Sequence, residues 1–209
     1  MNVKRNNLQK YTNKNPIQKF LLDRFFDRIT FELSLISFDR VLEFGCGEGY
    51  FLAEMRKRSA YFQPQSFLGV DIRKEAITYA SELNPGYRFL HRNILVHPLT
   101  SFRPDLVIAS EVLEHIPSPA FCLTQLKQLE SRYFLLTVPW EPWFRLLNFL
   151  RGRDVSRLGN HPEHVNTWTH KGFIRFISRH LKILHATTSF PFTIVIASQN
   201  YPVSRPSHT

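Results

Sequence analysis

The segment VLEFGCGEGY, residues 41–50, constrains the fold more than any other stretch of the chain. An apolar run, Val41 and Leu42, carries one acid, Glu43, and is followed by Gly45, Gly47 and Gly49 at every second position. Glycine reaches positive φ at little cost and lets a backbone approach a ligand closely, so this spacing predicts a tight strand-to-helix turn. Such a turn, opening on a helix N-terminus at the C-terminal edge of a parallel sheet, is where a nucleotide-like ligand binds. The rhythm is G-x-G-x-G. A dinucleotide fingerprint, G-x-G-x-x-G, would put its third glycine at Tyr50.

The chain around this turn alternates in period. Short apolar runs at 40–44, 66–70, 87–91, 105–109 and 132–138 read as strands, with helical patterns at about 49–58, 74–83 and 117–130 between them. A helix from Pro16 to about Ile36 is expected to bury Phe20, Leu21, Phe25, Ile29, Leu33 and Ile36. After a helix near 171–181, strands at 182–187 and 192–198 are joined by a short turn and should pair as an edge hairpin. The expected fold is α/β: a Rossmann-like, doubly wound, seven-stranded sheet with six strands parallel and the last antiparallel. Residues 1–15 read as a flexible basic arm, 16–200 as one domain with an insertion at about 139–170, and 201–209 as a tail.

The charge of the chain is unevenly placed. Its surplus of +10 divides into +4 over residues 1–40, zero over 41–140 and +6 over 141–209. The core around the glycine turn is neutral and the flanks are basic, which suits nucleic acid, a membrane surface or an anionic substrate, or simply a soluble surface. The two cysteines, Cys46 and Cys122, are too few for a disulfide framework or a thiolate metal site. No run reaches the ~18 apolar residues of a membrane span. The basic, polar N-terminus has no apolar secretory stretch. The chain therefore reads as cytoplasmic, with peripheral membrane contact as a variant.

Asp71 follows Gly49 by 22 residues and closes the second strand. An acid there accepts from both hydroxyls of a ribose, or merely caps a helix. Ile72 lies where it would cover an adenine ring. Asn93 and Ile94, after the third strand, are placed to read and cover the same base. The ordered set of E-x-G-x-G-x-G, V-D, N-I and PDLVIASEVLEHI resembles the class I S-adenosylmethionine-dependent methyltransferases over residues 38–138, extended by the terminal hairpin to about 198. The resemblance implies S-adenosyl-L-methionine as cofactor. It puts Glu43, Gly45, Gly47 and Gly49 around the methionine part, Asp71 and Ile72 at the nucleoside, and Asn93 and Ile94 at the adenine. Ser110 and Glu111 fall on the methyl-donor side. Family members often carry Asp where this chain has Asn93, which keeps an acceptor.

Glu111, Glu114 and His115 stand at i, i+3 and i+4 and would share one face of a helical turn. HPEHVNTW adds His161, Glu163 and His164. Two carboxylates with imidazoles suit Mg²⁺ or Mn²⁺. E-x-x-E-H with a distant histidine resembles both the ubiquinone-biosynthesis O-methyltransferases and the small-RNA 2′-O-methyltransferases. That resemblance implies a divalent cation on Glu111, Glu114, His115 and His164, holding the acceptor hydroxyl. L-E-H-I also occurs in metal-free relatives, where the histidine orients the acceptor. His115 and His164 are thus candidate bases or candidate ligands.

The insertion carries Trp140, Trp143, Phe144, Leu146, Leu147, Phe149 and Leu150, then Arg151, Arg153 and Arg157. This composition fits a membrane-interface helix over 140–157, a lid over an apolar acceptor, a base-stacking RNA surface, or a helix packed on the sheet. The expected activity is O-methylation of a small-molecule or lipid-like acceptor. RNA ribose methylation and a non-catalytic cofactor-binding module are the alternatives.

Overall fold

A computed structural model describes residues 15–99, 101–150 and 165–199. Helix α1, Pro16–Ser34, is followed by β1, Arg40–Phe44, and α2, Tyr50–Arg58. Next come β2, Ser66–Asp71; α3, Lys74–Leu83; β3, Arg88–His91; and β4, Leu106–Ser110. A 3₁₀ turn, Leu113–His115, precedes α4, Pro119–Lys127, and β5, Tyr133–Pro139. Helix α5, Trp143–Leu150, and α6, His170–Ser178, then lead to β6, Lys182–Ser189, and β7, Phe192–Ser198.

The seven strands form one sheet in the order β3-β2-β1-β4-β5-β7-β6. Strands β1 to β5 pair in parallel, and β7 runs antiparallel to both β5 and β6, so β7 alone is reversed. The last strand is inserted between β5 and β6 and is buried along almost its whole length, while β6 takes the exposed edge.

Period-2 alternation in buried strands feeds two cores. Leu42, Phe44, Val107, Ala109, Phe134 and Leu136 point to one face, where α4 adds Leu123 and Leu126 and α6 adds Phe173 and Ile177. Val41, Leu106, Ile108, Leu135, Ile194 and Ile196 point to the other, where α1 adds Phe25, Phe26, Ile29 and Leu33 and α2 adds Leu52 and Met55.

Helix α1 departs from expectation near its start, where Leu21 is only half-buried. Phe20 is 57% exposed, whereas Phe26 is fully buried. At 100° per residue Phe20 lies well off the Phe25-Ile29-Leu33 stripe, so the helix carries apolar residues on two opposite sides. Its cap is regular: Asn15 Oδ1 accepts from the amides of Ile17 (2.9 Å) and Gln18 (3.3 Å), and Pro16 opens the first turn.

Candidate active site

The glycine turn leaves the sheet at the C-terminal end of β1. Gly45, Gly47 and Gly49 all have positive φ. At Gly45 a Cβ would lie 2.7 Å from Val112 Cγ2, and at Gly49 2.7 Å from Asn84 Nδ2, so both positions are closed to larger residues. Gly45 and Cys46 amides donate to the Val70 carbonyl at 2.8 and 3.0 Å. The turn is thereby stitched to the end of β2.

Asp71 completes the stitch. Its Oδ2 accepts from the Gly47 amide (2.8 Å) and its Oδ1 from the Arg73 amide (2.8 Å). Arg73 Nε lies 3.4 Å from the same carboxylate, and Arg73 reaches Glu48 Oε1 at 3.3 Å. The acid therefore does cap the turn before α3, and the same carboxylate sits at the mouth of the glycine loop. Ile72 beside it is 66% exposed.

Glu43 lies beneath the loop, 3% exposed. Its Oε2 is buried with no hydrogen-bond partner among the described residues. Burial, helped by the nearby negative charge of Asp71, holds its carboxyl well above the ordinary carboxylate range. An uncompensated buried carboxylate oxygen is costly, and it marks a site for a donor that the protein does not itself supply.

At the third strand the two expected residues part. Asn93 is exposed and its Oδ1 accepts from the Leu95 amide (3.1 Å). Ile94 turns the other way. Its side chain is 3% exposed, belongs to the core, and with Leu126 and Leu129 lines a cavity of about 220 Å³ beside α4. The packing demand of α4 captures that side chain within the core.

Beyond β4 the chain passes through a left-handed residue, Glu111 (φ 58°), before the 3₁₀ turn begins. Glu111 therefore does not share a helical face with Glu114 and His115, contrary to the i, i+3, i+4 expectation. Its amide donates to the Thr137 carbonyl (3.1 Å), and Thr137 Oγ1 donates to Glu111 Oε1 (3.0 Å). The Ser110 and Thr137 hydroxyls are 3.0 Å apart. Glu114 is 2% exposed, and His115 Nε2, 3.9 Å from Glu114 Oε1, is on a side chain 36% exposed. Among the described residues no three His, Cys, Asp or Glu side chains gather to hold a metal ion. His161, Glu163 and His164 lie outside the described residues. The chain next to them does not: Val165 and Asn166 amides both donate to the Glu114 carbonyl (2.9 and 3.0 Å), and Asn166 Nδ2 donates to the Ile116 carbonyl (2.6 Å).

Sequence reasoning missed several supporting residues. Asn84, read only as part of a turn, is fully buried and donates to the Gly49 carbonyl (3.0 Å). Thr137, inside an apolar strand, gave no polar-pattern signal. Glu141 is 7% exposed; burial raises its carboxyl, and its Oε2 accepts from the Arg145 amide at the start of α5 (3.3 Å). On α5, Trp143 and Leu146 are exposed, Phe144 packs toward Phe192, and Trp143 meets Phe190 of the β6–β7 turn (centroids 6.3 Å). Arg151, Arg153 and Arg157 lie outside the described residues.

A family model described as "Methyltransferase domain" matches residues 16–188. The chain is 27% identical over 143 residues to "Ubiquinone biosynthesis O-methyltransferase" of Aeromonas salmonicida (strain A449), covering 65% of this chain and 56% of that protein. It is 27% identical over 158 residues to "Small RNA 2'-O-methyltransferase" of Schizosaccharomyces pombe, covering 65% and 42%. The chain thus spans about half the length of these curated relatives. In fold it resembles magnesium protoporphyrin IX methyltransferase from Synechocystis PCC 6803, solved with bound S-adenosylhomocysteine, with a TM-score of 0.64 at 17% identity over 93% of this chain and 92% of that one.

Proposed function

The chain belongs to the methyltransferase-domain family, the class I S-adenosylmethionine-dependent methyltransferases, and on that premise we propose that it methylates an oxygen of a small or lipid-like acceptor. The observation that carries the cofactor reading is Glu43. A buried carboxylate with an unpartnered oxygen, under a loop sterically closed to Cβ atoms, fits the α-ammonium end of S-adenosylmethionine. Asp71, already oriented by the Gly47 and Arg73 amides, has acceptor lone pairs for ribose hydroxyls. Exposed Ile72 offers the aliphatic cover at the base that buried Ile94 does not, and Asn93 offers the polar edge.

When bound, the cofactor supplies an electrophilic methyl group on a sulfonium. The protein's contribution is then alignment and proton removal. The Ser110–Thr137–Glu111 chain of hydrogen bonds fixes the floor of the site on the donor side. With an acceptor hydroxyl aligned on that methyl group, His115 would take the hydroxyl proton. Glu114, almost fully buried beside it, favours the imidazolium so formed. Alignment of acceptor and methyl can supply much of the rate without a strong base.

A second reading, ribose or catechol-like hydroxyls bound through Mg²⁺ or Mn²⁺, is supported by one contact set. The Val165 and Asn166 amides on the Glu114 carbonyl bring the chain beside His164 to the turn that carries Glu114 and His115. That reading requires Glu111, Glu114, His115 and His164 to converge on an ion that would lower the hydroxyl's pKa, and the first three do not converge in this structure. One experiment separates the readings: methyl-labelled cofactor is added to fractionated cell extract with and without chelator. Label in solvent-extractable small molecules that survives chelation supports the first reading. Label in RNA, abolished by chelation, replaces it with the second. Absence of turnover with every fraction, with intact cofactor binding, leaves a binding module instead.

A further inference from the structure

The start of α3 breaks a local rule. Its N-cap residue is Arg73, whose side chain makes no capping hydrogen bond. Ser, Thr, Asp or Asn would satisfy a free amide at such a position, whereas a cation meets the positive end of the helix dipole. The guanidinium reaches the glycine loop instead. Its Nη1 donates to Glu48 Oε1 (3.3 Å), and its Nε lies 3.4 Å from Asp71 Oδ1. Both acids are buried, Glu48 at 7% and Asp71 at 8% exposure, with Glu43 buried beneath the same loop. These contacts close a ring. The Gly47 amide donates to Asp71 Oδ2 (2.8 Å), Asp71 pairs with Arg73, and Arg73 returns to Glu48, the residue next to Gly47.

We propose that Arg73 is a positioning residue for the cofactor: it pins Glu48 on the glycine loop to Asp71 at the end of β2, and so fixes the orientation in which Asp71 meets the ribose hydroxyls. The inference rests on the reading of Asp71 as the ribose acceptor. Each Asp71 oxygen already takes one backbone amide, from Gly47 or from Arg73. At 3.4 Å the Nε contact is longer than a full N–H···O hydrogen bond and acts as an ion pair, so each oxygen keeps an acceptor site for one hydroxyl. The carboxylate is held only as well as the loop is held against β2. Glu48 stands between two left-handed glycines, Gly47 (φ 53°) and Gly49 (φ 75°), where the backbone itself restrains the chain least. A planar guanidinium with donors on separate nitrogens holds two carboxylates at a fixed separation, which a single ammonium cannot do. A cation at an N-cap, costly to the helix, is thus explained by what it does for the loop.

The test measures calorimetric affinity of the full chain for S-adenosylhomocysteine and for its 2′,3′-dideoxy analogue, which lacks both ribose hydroxyls. The melting temperature of each variant is taken alongside. The parent chain should prefer the hydroxylated ligand. Arg73→Ala should lose about tenfold of that preference, through weaker binding of S-adenosylhomocysteine alone. Arg73→Lys, which keeps the charge without the fork, should fall between the two. Glu48→Gln, at the other end of the ring, should lower the preference in the same direction. Equal loss of affinity for both ligands, or a lower melting temperature with the preference intact, would mean that Arg73 serves the fold alone and would overturn the proposal. An unchanged preference in Arg73→Ala would do the same. A parent chain that binds both ligands equally is a different failure: it removes the ribose reading of Asp71, and the pin goes with it.

Discussion

Glu43 is where folding and ligand binding pull on the same atom. Its carboxyl is raised by burial, so the folded chain favours the protonated form. The stability linked to it is present below the usual carboxylate pKa of 4.5 and drains away as the pH climbs through the raised value. Glu43→Gln should flatten that slope. Thermal scans from pH 5 to 9 should show the variant matching or exceeding the parent at the alkaline end, while calorimetric affinity for S-adenosylhomocysteine falls by about 10–100-fold, the worth of a charged hydrogen bond. Gly45→Ala should destabilise by about 1–3 kcal/mol in urea titration, from a left-handed alanine forced toward Val112. The strand-to-helix turn that carries Glu43 and the glycines and ends against Asp71 was legible in the sequence, because it follows from chain-local spacing. Asn84 and Thr137 were not, because their partners lie 35 and 26 residues away and nothing in their own neighbourhoods marks them. The burial of Ile94 was not legible for a related reason. An apolar residue at a strand end fits a ligand or a core equally well, and only the presence of α4 decides.

Among the elements, strand and helix placement followed period alone, and most boundaries moved by a residue or two. The reading failed where the backbone leaves regular geometry. The i, i+3, i+4 spacing of Glu111, Glu114 and His115 presupposed a helix, and a left-handed Glu111 breaks it before the 3₁₀ turn. Such a residue is held by its surroundings, here by Thr137 on β5. The turn is also held from the far side by Asn166, whose side chain spans to the Ile116 and Leu113 carbonyls. Asn166→Ala should loosen the His115 side of the site while leaving the glycine loop untouched. Turnover should drop by about tenfold with cofactor affinity unchanged, measured by steady-state kinetics beside calorimetry. Equal losses in both would mean that the turn supports the cofactor as well.

At the scale of the molecule, the N-terminal helix is clasped to the far edge of the sheet. Buried Glu32 on α1 is shared by Arg28 and by His185 on β6, beside a bulge between Ile183 and His185. This contact spans 153 residues of chain, and no local pattern could announce it. His185→Ala should cost about 1 kcal/mol in denaturant unfolding, since the imidazole is half exposed, and the loss should shrink at high salt. Order β5-β7-β6 obliges the chain to travel round the sheet after β5, and the route closes on itself. Trp140 bridges Trp168 in parallel register, and the Glu141 amide donates to the Trp168 carbonyl (2.9 Å). The two ends of the excursion therefore meet at one place. Doubling the length of a loop so pinned costs only about 0.6 kcal/mol in closure entropy. A change in the number of residues between Glu141 and Trp168 therefore costs the fold little, provided that Asn166 keeps its hold on the turn of Glu114 and His115.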